Sequence, residues 1–203
     1  MISRPVFIGF ACAIAATILW SGNFIVARGL NDQISPLTMA FWRWVVAIVV
    51  LLPFAIKPLL AQRAWVKKHI GYLSIVSLLG VTLFNTMIYY AGQTSTAINL
   101  SLIAITFPVF VLVLSRIFYA EIISWNKLAG IVLVAAGILL LISKGDVSVL
   151  THLTFVRGDL WMLLAAVIFA VYSMMLKQRP DGISVSAFQL VSFILGLIFL
   201  LPF

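Results

Sequence analysis

Charged residues are scarce in this sequence. Asp, Glu, Lys and Arg make up 9% of its 203 residues, whereas soluble domains carry about 25%. Hydrophobic residues reach 64%, and a soluble chain could not cover its surface with so few charges. The composition excludes a cytosolic enzyme and a disordered protein, and it predicts a chain embedded in a lipid bilayer.

Residues that carry catalytic or metal chemistry are also few. Cys12 is the single cysteine, so no intrachain disulfide can form, and His69 and His152 stand apart in predicted loops. The sequence contains no Cys and His spacing typical of a metal site. It also contains no Walker-type glycine loop, so nothing in it indicates ATP hydrolysis. The predicted spans contain neither a His/Glu pair nor paired Asp residues for a membrane protease. We therefore expect no enzyme activity, no metal and no cofactor.

What the sequence has in abundance is long apolar runs. A membrane-spanning helix needs about 20 mostly apolar residues, and seven stretches qualify. The predicted spans cover residues 7–27, 37–56, 70–91, 97–118, 126–143, 160–177 and 185–203. Ser35 with Pro36, Ser124 and Asp159 are expected to cap the second, fifth and sixth spans. The sequence predicts an all-α polytopic membrane protein with seven transmembrane helices.

The 13 Lys and Arg residues exceed the 5 Asp and Glu residues, but they lie between apolar runs. We interpret them as topology signals and expect no nucleic-acid partner. With the N-terminus in the cytoplasm, nine lie on the inner side, three lie on the outer side, and Arg43 falls within the second span. This distribution predicts a cytoplasmic N-terminus in a membrane that we take to be the bacterial inner membrane.

An internal repeat is visible when the chain is shifted against itself by 149 residues. Residues 18–54 then align without a gap on residues 167–203, with 7 identities in 37 positions. One unit holds five helices, so the second unit enters the membrane from the opposite side. Such inverted-topology repeats are typical of secondary transporters. A complete second unit would end near residue 292, and we therefore expect residues 160–203 to be the first two helices of an incomplete second repeat.

Several short strings resemble the EamA-type repeat of the drug/metabolite transporter superfamily over residues 7–143. They are Trp20-Ser21-Gly22-Asn23-Phe24, Ile34-Ser35-Pro36-Leu37-Thr38, Phe41-Trp42-Arg43-Trp44, Tyr89-Tyr90-Ala91-Gly92, Asn99-Leu100-Ser101 through Pro108, Glu121, and Gly130 to Gly137. The resemblance implies ten helices in two inverted five-helix units around a central cavity for a small metabolite. Members of that superfamily export amino acids, other metabolites and drugs, and some import.

The first span carries the first candidate binding residues. Trp20, Asn23 and Phe24 share one face at i, i+3 and i+4 spacing, and an amide between aromatic rings can orient a polar ligand. Their repeat mates include Phe169 and Tyr172, which would face them across a pseudo-two-fold axis. Helix–helix packing is the competing interpretation for this face.

Further candidates lie on the next three spans. Asn85 and Tyr89 belong to a polar i, i+4 series on the third span, which is costly against lipid and favours a cavity wall. Asn99 and Thr106 lie seven residues apart on the fourth span. Arg43 could enter a wet cavity, bind an anionic substrate group or extend toward the outer surface. Glu121 is expected to pair with Arg116 or Lys127.

The function predicted from these features is a secondary transporter that exports small amphipathic metabolites, such as amino acids, by alternating access between inverted repeats. Its partners would be the lipid bilayer and a small-molecule substrate. One alternative is a truncated, non-transporting membrane fragment that assembles with a second chain or as a homodimer. Another is a seven-helix receptor or sensor, which the predicted cytoplasmic N-terminus disfavours.

Overall fold

The computed structural model describes residues 4–30, 33–143 and 154–202. The regular elements in this part of the chain are helices. The first to seventh spans are Arg4–Gly29, Pro36–Ala61, Ile70–Thr94, Ala97–Tyr119, Trp125–Ser143, Arg157–Lys177 and Val185–Leu200. A short helix, Arg63–Lys68, joins the second span to the third.

Five of these helices, the first four and the sixth, are long and apolar enough to cross a membrane. The seventh helix and the described part of the fifth are shorter but also apolar. The polytopic membrane fold predicted from the apolar runs is confirmed. Because successive spans are antiparallel, the bundle has two ends, which we name the Arg4 end and the Gly29 end after the two ends of the first span.

Local chemistry explains where the helices begin. Ser35 and Ser184 are N-caps of the second and seventh spans, and their side chains accept hydrogen bonds from the backbone N–H groups of Thr38 and Ala187. The two cap residues share almost the same backbone, with φ of −62° and −67° and ψ of 148° in both. At the start of the sixth span the N-cap residue is Val156, and not Asp159 as predicted; Asp159 lies three residues later, and its carboxylate accepts from the Val156 N–H.

The third and fourth spans are interrupted. A π-helical turn, Leu78–Leu83, separates Ile70–Ser77 from Phe84–Thr94 in the third span. The fourth span breaks at Ile105, between Ala97–Ala104 and Thr106–Tyr119. Pro108 explains the second break, because it has no N–H to donate and its ring clashes with the carbonyl four residues earlier.

The bundle core forms where the second, third, fourth, sixth and seventh spans meet. The second span packs most extensively on the seventh, and the third on the sixth, while the first span lies against the third and fourth. Met39, Trp44, Phe84, Phe107 and Met162 are among the buried residues of this core. The fifth span is largely exposed along its described length.

Two aromatic contacts join residues that are 149 positions apart. Trp20 packs edge-on against Phe169, with ring centroids 5.7 Å apart, and Trp44 packs against Phe193 at 4.6 Å. A two-fold axis brings equivalent residues into contact in this way, because each lies on the same patch of its own unit. The division into a first repeat at 7–143 and a partial second repeat at 160–203 stays a prediction that these contacts favour.

Candidate functional site

A polar cluster joins the first three spans. Nη1 of Arg43 donates hydrogen bonds to Oδ1 of Asn23 at 2.9 Å, Oδ1 of Asn85 at 2.6 Å and Oη of Tyr89 at 3.0 Å. The Tyr89 hydroxyl in turn donates to Oδ1 of Asn23 at 3.1 Å. We call Asn23, Arg43, Asn85 and Tyr89 the Arg43 cluster. Asn85 and Tyr89 are buried and Arg43 is half-buried, so the guanidinium is held by the protein.

The π-helical turn positions Asn85. A π turn replaces i→i+4 hydrogen bonds with i→i+5 bonds, and here the Phe84 N–H donates to the Leu79 carbonyl. Nδ2 of Asn85 donates to the carbonyl of Gly80 at 3.0 Å and to that of Val81 at 3.4 Å. Nε1 of Trp44 also donates to the Val81 carbonyl, at 3.1 Å. The Asn85 amide thereby links Arg43 to the irregular turn of the third span.

The charge of Arg43 has no acidic partner among the described residues. The ion pair within the described residues joins Glu121 to Lys177, at the opposite end of the bundle from Arg43. All three acceptors of Arg43 are uncharged oxygens, and the ring face of Trp44 lies 5.2 Å from the guanidinium carbon. These contacts solvate the cation but do not neutralise it.

An open groove of about 840 Å³ lies between the first and second spans at the Gly29 end. Asn23, Arg43 and Tyr89 lie along it, and Ser35 and Thr38 line it near the start of the second span. The remaining wall is mostly apolar: Leu19, Val26, Leu30, Ile34, Met39, Trp42 and Val46. The described lining of the groove therefore combines the Arg43 cation with an extensive apolar surface, which suits an amphipathic ligand.

A layer of aromatic side chains lies next to the cluster, toward the Arg4 end. Phe169 is its centre: it stacks on Phe107 at 5.2 Å, packs on Phe84 at 5.0 Å and meets Trp20 and Tyr172 at 5.7 and 6.3 Å between ring centroids. We call these five residues the aromatic layer. Tyr172 also covers Gly80 of the π turn so closely that a Cβ there would lie 2.3 Å from its ring.

A second cavity, of about 580 Å³, lies on the Arg4 side of the aromatic layer. Trp20, Phe107 and Phe169 line it, and so do Glu121 and Lys177 of the ion pair. The two cavities thus open toward opposite ends of the bundle and share the first span, where Trp20 faces one and Asn23 the other. Among the described residues, no three metal-ligating side chains come together.

Comparison with known proteins identifies the family. Residues 7–143, more than half of the chain, match the EamA-like transporter family. The chain belongs to the EamA-like transporter family. The resemblance expected from the sequence is therefore confirmed, and this EamA-like chain is an integral membrane protein of the drug/metabolite transporter type.

Relatives of this EamA-like chain are themselves described as transporters. An uncharacterized transporter of Archaeoglobus fulgidus is 31% identical over 92% of this chain and 63% of its own length. The uncharacterized transporters YyaM and YetK of Bacillus subtilis are 23% and 26% identical over 84% and 93% of this chain, and over 56% and 57% of their own lengths. The chain thus spans somewhat more than half the length of these relatives. No solved structure matches it.

The predicted site residues of this EamA-like chain fall into separate groups. Asn23, Arg43, Asn85 and Tyr89 form the Arg43 cluster, and Trp20, Phe169 and Tyr172 belong to the aromatic layer. The side chain of Phe24, which was also predicted, lies outside the described part of the structure. The predicted role of these residues in substrate binding stays a proposal.

Asn99 and Thr106 do not reach the Arg43 cluster. Nδ2 of Asn99 donates to the Thr154 carbonyl at 3.2 Å and to the Asp159 carboxylate at 3.3 Å, at the Gly29 end. The Thr106 hydroxyl donates to the carbonyl of Ile103 at 2.6 Å, within its own span. Seven-residue spacing would place both on one face of a continuous helix, but the break at Ile105 ends that register.

Glu121 has a different partner from those expected. It pairs with Lys177 of the sixth span, whereas Arg116 donates to the backbone carbonyls of Ala120 and Glu121. Sequence proximity favoured Arg116 and Lys127, but the packing of the sixth span beside the fourth brings Lys177 to the carboxylate.

Three aromatic residues beside the site were not among the predicted ones: Trp44, Phe84 and Phe107. Trp44 was identifiable in principle, since it follows Arg43 and lies one repeat length before Phe193. Phe84 and Phe107 carry no comparable signal, because phenylalanine is common throughout apolar spans and 15 occur in this sequence.

Proposed function

We propose that this EamA-like chain binds and moves substrate as part of a secondary transporter. The substrates are small amphipathic metabolites, amino acids or related compounds, and the direction is export. The observation that carries the proposal is the arrangement along the bundle: a polar cluster in an open groove, an aromatic layer, and a second cavity toward the opposite end. No enzymatic step is part of the proposed activity.

The proposed mechanism is alternating access. In such a mechanism one site opens in turn to the two sides of the membrane, and inverted repeats provide two states of similar energy. Contacts between residues 149 positions apart, Trp20 with Phe169 and Trp44 with Phe193, support a two-fold relation across the centre of the molecule. Rocking about these contacts would transfer a ligand between the groove and the second cavity.

The proposed orientation places the N-terminus in the cytoplasm of a bacterial inner membrane. It rests on the distribution of Lys and Arg between the connections. In this orientation the groove beside Arg43 faces outward and the cavity beside the Glu121–Lys177 pair faces the cytoplasm.

Two adjacent tyrosines allow a matched test. Tyr89 belongs to the Arg43 cluster, whereas Tyr90 packs on Trp161 at 5.8 Å. Cells producing the wild-type chain, Tyr89→Phe or Tyr90→Phe would be compared by untargeted metabolite profiling of the medium. We expect Tyr89→Phe to lower the appearance of the exported compound by about two- to tenfold for each of the two hydrogen bonds that its hydroxyl makes, to Arg43 and to Asn23. Tyr90→Phe should leave it unchanged.

The outcome against the proposal is equally specific. If no compound accumulates outside wild-type cells relative to cells without the protein, the export function is wrong. If a compound is exported equally by all three chains, with equal amounts of protein in the membrane, the site is elsewhere.

A further inference from the structure

The Arg43 cluster holds a cation that its neighbours orient but do not neutralise. Nη1 makes all three hydrogen bonds of the guanidinium, and within the described residues Nη2 and Nε have no hydrogen-bond partner. A guanidinium has five donors in a fork that matches a carboxylate. The cluster thus fixes one edge of Arg43 and leaves a second edge available.

The positive charge of Arg43 within an apolar helix needs water or an anion beside it. Arg43 lies in the second turn of a 26-residue apolar helix, where an unpaired cation is costly unless it faces water or an anion. It lines the groove, which gives an ion access to it. Charge-assisted bidentate pairing between arginine and a carboxylate is among the stronger polar interactions in proteins.

The groove indicates what the rest of the ligand is. Its described lining contains no Asp or Glu, so no carboxylate there would receive an ammonium group, and Asp32 lies outside the described residues. The polar lining beyond the cluster consists of Gln33, Ser35 and Thr38, and the other walls are apolar. One positive charge with apolar walls matches one negative charge with an apolar body.

We propose that the substrate of this site is an organic monocarboxylate, whose carboxylate pairs with the free edge of Arg43 and whose apolar body lies along the first and second spans. The proposal rests on the proposed transport function and, for that same site, narrows the substrates from amino acids and related compounds to carboxylates that carry no ammonium group. It also predicts discrimination against lipophilic cations, because these would meet the unneutralised charge of Arg43.

Three probes of matched size separate charge from shape. Phenylacetate, phenylacetamide and phenethylammonium share an aromatic body and carry a negative, zero and positive charge. Their binding to the whole chain in phosphatidylcholine nanodiscs would be measured by isothermal titration calorimetry. We expect phenylacetate to bind at least about tenfold more tightly than phenylacetamide, as for a charge-assisted hydrogen bond, and phenethylammonium to bind more weakly than both.

Variants locate the effect. Arg43→Gln should reduce phenylacetate binding to the level of phenylacetamide, and Arg43→Lys should recover only part of it because an ammonium lacks the planar fork. Arg63→Gln is the matched control, since Arg63 is exposed in the short helix at the Arg4 end. It should bind phenylacetate as the wild type does. The comparison of probes on the wild-type chain stands even if Arg43→Gln fails to fold.

Several results would overturn the assignment. Phenylacetate would fail to bind, the three probes would bind equally, or a folded Arg43→Gln chain would bind phenylacetate as the wild type does. Loss of binding when phosphatidylglycerol replaces phosphatidylcholine would show that the anionic partner of Arg43 is a lipid headgroup. Export of a neutral or cationic metabolite that depends on Tyr89 would keep the transport function and reject the carboxylate. Selective phenylacetate binding without any export would reject the transport function alone.

Discussion

Asp159 is a buried carboxylate whose oxygens are satisfied by hydrogen bonds. It is 1% exposed, and it accepts from the Ser95 hydroxyl, the Val156 N–H and the Asn99 amide. These donors come from the connection between the third and fourth spans, from the fourth span and from the start of the sixth. The residue therefore stabilises the Gly29 end by joining the start of the sixth span to Ser95 and Asn99, which lie 64 and 60 positions earlier in the chain.

Asp159→Asn replaces one accepting oxygen with an NH₂ donor, which would then face the donors that now bind the carboxylate. We expect it to lower the free energy of unfolding by about 1–3 kcal/mol, the cost of leaving buried polar groups unsatisfied. Asp181→Asn is the control, because Asp181 is exposed and contributes its backbone carbonyl, not its carboxylate, to Trp65. Thermal unfolding of both variants in detergent would measure the difference. Equal shifts in the two variants would contradict this role for Asp159.

At the scale of the helical element, hydrogen bonds join the π turn Leu78–Leu83 to the second and seventh spans. Trp44 donates to its Val81 carbonyl at 3.1 Å, and the Thr82 hydroxyl donates to the Gly196 carbonyl of the seventh span at 2.8 Å. Asn85 bonds the same turn and Arg43. A change in the turn would therefore move Asn85 and, through it, the guanidinium.

Trp44→Phe tests the bond to the π turn. It keeps an aromatic ring against Phe193 and removes the N–H donor to Val81, so we expect a loss of about 1 kcal/mol in unfolding free energy. Trp42→Phe is the matched control, since Trp42 is 59% exposed. Chemical unfolding followed by circular dichroism would compare them. A Trp44→Phe chain as stable as Trp42→Phe would show that the Val81 carbonyl does not need this donor.

Close approach between spans depends on particular glycines. A Cβ on Gly158 would lie 2.3 Å from the Ala91 carbonyl oxygen and 2.8 Å from Ser95, whereas one on Gly130 would meet nothing within 4 Å. Gly158→Ala should separate the third and sixth spans and destabilise the chain by about 1–3 kcal/mol. Gly130→Ala should be neutral or stabilising, because alanine is the better helix former. Melting temperatures in one detergent provide the comparison, and a neutral Gly158→Ala would contradict the observed packing.

At the scale of the whole molecule, the Glu121–Lys177 ion pair joins the fourth and sixth spans at the Arg4 end. Glu121 follows the fourth span and Lys177 ends the sixth, so the pair connects the first predicted repeat to the second. Both side chains line the second cavity. In an alternating-access transporter, contacts between repeats at one end must break before that end opens.

Breaking this pair should increase access to the second cavity. In a Cys12→Ser background, Ser173→Cys places one thiol in that cavity. Glu121→Lys should raise its labelling rate by up to about fivefold, the range of an exposed ion pair. The exchange of both residues, Glu121→Lys with Lys177→Glu, should restore the original rate. A double variant that labels as fast as the single one would show that the two charges do not interact.

Much of the fold follows from local pattern. The seven apolar runs match seven described helices, five of which are long and apolar enough to cross a membrane. Ser35 and Ser124 accept hydrogen bonds at the beginnings of helices, as capping chemistry predicts, whereas Asp159 lies three residues after the N-cap, Val156. The pattern is less accurate at prolines inside a helix and at the π turn. The second span continues to Ala61, past the predicted end at residue 56, with Pro53 and Pro58 inside it. Hydropathy also carries no sign of the π turn, since its residues are as apolar as those of an α-helix.

The sequence alone determined that this chain resides in a membrane, where its helices lie and that Arg43 is a cation within an apolar helix. Each of these depends on neighbouring residues, so it can be read from a short window. Tertiary structure decided which groups meet: Arg43 with Asn23, Asn85 and Tyr89, and Glu121 with Lys177. Hydrogen bonds and ion pairs act over a few ångströms. The packing of helices that are far apart in sequence therefore selects their partners.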